Sequence, residues 1–147
     1  MLLMCNLLTD LGLLYHQGLI WVKNNFVIGR TDYQANTEGC FYGWMKGNRP
    51  PFYGEKNQTT AWHIDRDANN KPIHPTQKPV ELSVIPLRNH TRVEEICYDS
   101  FGGSGSTLIA CEKLGRRCFM MEISEMYCDV IIKRWEDYTG RRVAKID

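Results

Sequence analysis

A glycine turn, and an acid that follows it, are the residues in this chain whose types and spacing suit chemistry. The run Asp99-Ser100-Phe101-Gly102-Gly103-Ser104-Gly105-Ser106-Thr107 joins a short apolar stretch to a helix-forming one. Glycines let a backbone turn sharply and let a ligand come close to it. The helix start beyond them offers free N–H groups and positive partial charge to an anion. The plainer alternative is a tight turn that serves packing alone. A P-loop needs a lysine just before its Ser/Thr, and Gly105 holds that place here, which disfavours phosphoryl transfer. A dinucleotide fingerprint counted from Gly103 and Gly105 needs its third glycine where Leu108 stands, which disfavours NAD. Glu122 closes the next apolar stretch. A carboxylate there can accept hydrogen bonds from both hydroxyls of a ribose, although alone it would read as a solvated strand-end acid. Turn and acid together favour a ligand with a free ribose and an anionic group but no pyrophosphate.

The elements that must position these groups follow from the patterning. Glu95–Asp99 and Arg117–Ile123 read as short buried strands, and Thr107–Leu114 between them as a helix stopped by Gly115. That is a β-α-β unit, which calls for parallel strands. Glu125–Tyr138 reads as an amphipathic helix with Ser124 as N-cap and Gly140 as stop. Upstream, Thr76-Gln77-Lys78-Pro79 is expected to open a helix running to about Arg88, since Pro79 suits a first turn. Leucines at 2, 3, 7, 8 and 11 predict a first helix ended by Gly12. Leu19–Val22 and Gly39–Met45 read as strands, Lys46–Pro75 as a long irregular segment, and Arg142–Ile146 as a short strand or tail.

Length and composition set bounds. The 147 residues suit one α/β domain, with 43% hydrophobic and 24% charged residues. The formal net charge of +1 gives no global pull toward nucleic acid. Lys46, Arg49, Lys56, Arg66, Lys71 and Lys78 nevertheless cluster in the middle of the chain. None of the six cysteines forms a Cys-x-x-Cys pair, so a zinc ribbon or redox motif is not indicated and no metal is expected. They read as reduced core thiols of a cytoplasmic protein. The apolar N-terminal stretch is interrupted by Asn6, Asp10, His16 and Gln17, too polar to span a bilayer, and it lacks a basic leader.

Four stretches carry a resemblance: HPTQKPVEL from His74 to Leu82; DSFGGSGSTLIA from Asp99 to Ala110; RRCFMME from Arg116 to Glu122; and Trp21-Val22-Lys23-Asn24. They resemble the S-adenosylmethionine-dependent amino-methyltransferases that modify the exocyclic nitrogen of adenine or cytosine in DNA. The closest group has its cofactor motif near the C-terminus. The pairing of HPTQKP with the glycine turn some twenty residues later is specific, and similarity runs through Asp32-Tyr33 and Gly43-Trp44. The resemblance implies a partial class I, Rossmann-like methyltransferase fold, three-layered with an incomplete mixed sheet. Residues 1–75 would form its target side and 76–147 its cofactor-binding β-α-β part, together one incomplete domain.

It also implies a site. Asp99 and the turn Ser100, Phe101, Gly102, Gly103, Ser104 and Gly105 would hold the methionine end of S-adenosylmethionine. Glu122 would hold the ribose and Ile123 would flank the adenine. Thr76 and Lys78 would approach the methionine carboxylate. Trp21, Lys23, Lys46 and Arg49, with Tyr53 and Trp62 nearby, are candidates to lie along DNA, because cations interleaved with aromatics suit that task.

The family activates its aromatic amine with a tetrapeptide, Asp, Asn or Ser followed by Pro-Pro and an aromatic residue. Its polar groups accept the amine hydrogens and its ring stacks on the flipped base. No such tetrapeptide occurs here. Asn48-Arg49-Pro50-Pro51-Phe52 comes nearest, but Arg49 sits in the acceptor's place and guanidinium has no acceptor lone pair. By the resemblance, the catalytic strand and two central strands would precede Met1. The expectation is therefore a DNA methyltransferase fragment, acting on adenine in preference to cytosine, that supplies cofactor binding and no catalytic residue. A catalytically inactive remnant that binds cofactor or a partner is the alternative. DNA is one expected partner, and an N-terminal chain bearing the tetrapeptide or a homodimer mate is another. Strands missing from the sheet would leave exposed apolar faces, an unusual pairing, or a gap for that partner.

Overall fold

The computed structural model describes residues 6, 8–26, 28–65 and 77–146. They divide into two compact units, Met1–Arg66 and Asp67–Asp147. Among the described residues no helix is long and apolar enough to cross a membrane.

The first unit is built on a three-stranded mixed sheet. Asn6 and residues 8–10 are helical, and Gly12 ends that turn at φ +79°, donating its N–H to the Thr9 carbonyl at 2.9 Å. β1 (Leu13–Val22) pairs antiparallel with β2 (Thr37–Met45), from Leu13 opposite Met45 to Val22 opposite Thr37, with a slip between Tyr15 and Gln17. β3 (Ala61–His63) lies parallel to β1 on its other side, Trp21 opposite Trp62. β1 is therefore central, and its Trp21 is buried at 1% exposure, with Nε1 donating to the Ile64 carbonyl at 2.7 Å.

Two expectations are corrected here. β1 begins six residues before Leu19, because polar His16 and Gln17 sit on a solvent-facing part of the strand and break the apolar run used to read it. β3 lies inside the stretch read as irregular. Three residues carry no periodicity of their own, and this strand exists because β1 offers it a partner.

The second unit holds α1 (Glu81–His90), β4 (Ile96–Asp99), α2 (Ser106–Leu114), β5 (Arg117–Met120) and α3 (Glu125–Thr139). β4 and β5 are parallel, Ile96 opposite Arg117 and Asp99 opposite Met120, as the β-α-β reading requires. Alternation puts Cys97 and Cys118 on the inner face, where they pack against Val84 and Leu87 of α1 and Ala110 and Cys111 of α2. Trimming a buried leucine such as Leu87 to alanine in such a core costs about 2–5 kcal/mol. The outer face leaves Ile96, Tyr98 and Phe119 exposed, the first of the outcomes expected for missing strands.

Helix ends agree with the sequence at Gly115 and Gly140, both at φ +70°. Others differ. α1 starts at Glu81 rather than around Thr76-Pro79. Lys78 precedes a proline, which biases it toward extended backbone, and its carbonyl is engaged by Ser106 Oγ at 2.6 Å. Ser124 occupies the N-cap of α3 but makes no side-chain cap. Arg142 to Ile146 form no strand.

Candidate cofactor site

The parallel pairing of β4 and β5 brings their carboxyl ends side by side, and the glycine turn leaves from one of them. The turn is pinned at each step. Asp99 Oδ1 accepts the Phe101 N–H at 2.9 Å, and Gly102 N–H reaches the Met121 carbonyl at 2.8 Å. Gly103, at φ +54°, donates its N–H to Glu122 Oε2 at 2.7 Å, and Glu122 Oε1 accepts the Ser124 N–H at 2.9 Å. Gly105 opens α2 at φ +76° with its Cα against Ile131, where an added Cβ would come within 3.2 Å of Cγ1. The left-handed backbone and the lack of space both demand glycine there.

This arrangement joins most of the residues singled out in the sequence. Asp99, Phe101, Gly103 and Glu122 are linked by the bonds just given. Lys78 joins them through its backbone, since Ser106 at the start of α2 donates to its carbonyl, and its side chain is exposed. Ser100 is exposed as well. Phe101 and Ile123 present bare apolar surface, at 89% and 101% exposure. Ser104 is buried, its hydroxyl within 3.2 Å of Arg134 Nη1. Thr76 lies outside the described residues.

Arg134 was not singled out from the sequence. From α3 its Nη1 also donates to the Ser104 carbonyl at 2.8 Å and to Ser106 Oγ at 3.2 Å, holding the turn from behind. Its position on an amphipathic helix reads like any solvated cation; only the fold brings it under the turn.

The geometry can serve a small zwitterionic ligand. The Glu122 carboxylate, accepting from Gly103 and Ser124, is held just beyond the end of β5 beside the turn. The first turn of α2 contributes N–H groups that have no partner within the helix. Among the described residues no group of three or more His, Cys, Asp or Glu could hold a metal ion.

The DNA candidates divide. Trp21 is interior and Lys23 is ion-paired with Glu38 at 2.8 Å, its side chain 11% exposed. Both side chains are thereby engaged within the first sheet, where β1 lies between β2 and β3. Lys46, Arg49 and Lys56 are exposed, as is Tyr53; Arg66 and Lys71 lie outside the described residues.

A family model described as DNA methylase matches residues 10–134. The type II methyltransferase M.HinfI of Haemophilus influenzae is 28% identical over 88 residues, covering 54% of this chain and 24% of that protein. The crystal structure of an M1.HpyAVI–SAM complex superposes with a TM-score of 0.75 at 28% identity, covering 88% of this chain and 66% of the other. The cytosine-N4-specific PvuII DNA methyltransferase reaches a TM-score of 0.76 at 16% identity, over 90% of this chain and 55% of the other; that likeness speaks for a shared methyltransferase fold. The chain thus spans only a part of each of these relatives.

Proposed function

This chain belongs to the DNA methylase family, and on that premise we propose that it binds S-adenosylmethionine within an enzyme that methylates the exocyclic amino group of adenine, with cytosine as the alternative target, in DNA. The observation that carries the reading is the bond between Gly103 N–H and Glu122 Oε2 at 2.7 Å, which sets a strand-end carboxylate against a glycine turn at the head of a helix. A P-loop would carry a lysine where Gly105 stands, and a dinucleotide site a third glycine where Leu108 stands.

The donor set fits the cofactor group by group. Glu122 offers acceptors for the ribose hydroxyls. Ile123 offers a bare apolar side chain to the adenine. Asp99 and the turn from Ser100 to Gly105 suit the methionine end, Asp99 by its negative charge toward the ammonium. Lys78, with Thr76, suits the carboxylate by charge and by the nearby helix start. When bound, the cofactor supplies a methyl group activated by a sulfonium sulfur.

Nothing in the 147 residues matches the tetrapeptide that would activate the target amine. Cofactor binding is therefore assigned to this chain and the acceptor chemistry to residues outside it, such as those of an N-terminal partner chain that carries the motif; a homodimer mate, which has the same sequence, could cover the exposed strand face but not supply the tetrapeptide. The second reading, a non-catalytic cofactor-binding or partner-binding remnant, rests on the same absence. The exposed Lys46 and Arg49 are the side chains proposed to meet DNA phosphates. Equilibrium titration with S-adenosylmethionine, and with ATP and NAD as controls, tests the cofactor reading. Saturable binding of S-adenosylmethionine alone is expected; equal binding of ATP would replace it with a generic nucleotide site.

A further inference from the structure

Cys97, Cys111 and Cys118 come from three different elements and meet at one place. On the parallel strands β4 and β5, Cys97 stands directly opposite Cys118. Both pack against the buried cluster that contains Cys111 of α2. The three share this packed cluster, and none is in a disulfide. Adjacent strands run about 4.8 Å apart, inside the Cα separation of roughly 4.4–6.8 Å that a disulfide spans. Both side chains leave the sheet on the same face, so closing the bond draws their Cβ atoms in from about the strand spacing to roughly 3.5–4.5 Å.

Access separates the three. Cys111 is fully buried. Cys97 lines a cleft of about 420 Å³ together with Leu82, Pro86, Leu87, Tyr98 and Asp99. The neighbouring Cys111 and Cys118 side chains lower the Cys97 thiol below its usual range, while the contacts with Cys118 and Cys97, and then burial, push Cys111 up. A lowered thiol favours the thiolate, which is the nucleophile.

We propose that Cys97 and Cys118 form an oxidisable pair that hydrogen peroxide converts to a disulfide, with Cys97 attacking first and Cys118 resolving. The Cys97 thiolate attacks one peroxide oxygen; the S–O bond forms as the O–O bond breaks, and hydroxide leaves. The Cys118 sulfur then attacks the sulfenic sulfur of Cys97. The S–S bond forms, the S–O bond breaks, and the departing hydroxyl takes the Cys118 proton to leave as water. In net, two thiols lose two electrons and two protons, and one hydrogen peroxide becomes two waters. The bridge sits two residues before Asp99 and four before Glu122, at the root of the proposed cofactor site, but the chemistry does not depend on that assignment.

The test uses the whole reduced chain. It is exposed to hydrogen peroxide at neutral pH, alkylated with iodoacetamide under denaturing conditions, digested, and mapped by mass spectrometry. The expected result is the loss of two of the six thiols and a linked peptide containing Cys97 and Cys118, which dithiothreitol separates. Cys97→Ser should abolish the link and Cys111→Ser should leave it. A bridge through Cys111 or any other cysteine would overturn the proposal. So would oxidation of Cys97 without a link, or retention of all thiols at a dose that oxidises the same chain in denaturant. The wild-type map decides even where a variant fails to fold.

Discussion

Replacing Glu122 by alanine should weaken cofactor binding far more than it weakens the fold. Glu122 accepts the Gly103 N–H at 2.7 Å and the Ser124 N–H at 2.9 Å, which holds its carboxylate beside the turn where the ribose is proposed to bind. A hydrogen bond to a charged group contributes about 1.5–3 kcal/mol. At about 1.4 kcal/mol per tenfold, the loss of even one ribose bond weakens binding roughly 10- to 150-fold. Part of that loss acts through the turn, because Gly103 N–H is left without its acceptor. The side chain is only half-buried, so water can replace it and the cost to stability is about 1 kcal/mol. Isothermal titration with S-adenosylhomocysteine measures the first effect and thermal melting the second. Glu122→Asp, which keeps the charge one methylene short, should fall between. A folded Glu122→Ala chain whose affinity stays within about twofold of wild type, roughly 0.4 kcal/mol, would refute the assignment of the ribose to this carboxylate.

Other outcomes follow from the same structure. Gly105→Ala should destabilise the second unit by about 2 kcal/mol or more, since it adds left-handed strain and a Cβ at 3.2 Å from Ile131; a melting temperature equal to wild type would contradict this. Arg134→Met should lower cofactor affinity without contact with the ligand, by releasing Ser104 and Ser106, and a binding isotherm identical to wild type would speak against that support. Tritiated methyl transfer from S-adenosylmethionine to mixed-sequence DNA should be absent with this chain alone; incorporation abolished by Asn48→Ala would promote the Asn48–Phe52 segment to a catalytic site. If Lys46 and Arg49 meet phosphates, replacing both by alanine should flatten the salt dependence of duplex binding by a log–log slope of about 0.9 per lost contact. DNA binding that ignores salt would rule that role out.

The cofactor half was the more legible part of the chain, for a physical reason. The glycine turn must break a strand and start a helix within a few residues, so Gly102, Gly103 and Gly105 mark it whatever surrounds them. The parallel strands and the helix stops at Gly115 and Gly140 follow from equally local signals. What escaped depends on distant partners. β3 is three residues long and exists through its pairing with β1. The burial of Trp21 agrees with a strand at Leu19–Val22, but the flanking of β1 on both sides by β2 and β3 is set by pairings distant in sequence. Arg134 is thirty residues from Ser104 in sequence, and no pattern announces that contact. Ser124 stands at the N-cap of α3 as read, but its hydroxyl makes no cap, and its backbone N–H is held by Glu122 Oε1.

The central claim is that S-adenosylmethionine binds at the carboxyl ends of β4 and β5. Amide chemical-shift mapping of the 15N-labelled chain during titration with S-adenosylhomocysteine tests it most directly. The account predicts that the largest shifts fall on Phe101, Gly102, Gly103 and Ile123, with smaller ones at Lys78. Saturable shifts confined to β1, β2 or β3, or a spectrum unmoved at a large excess of ligand, would contradict it.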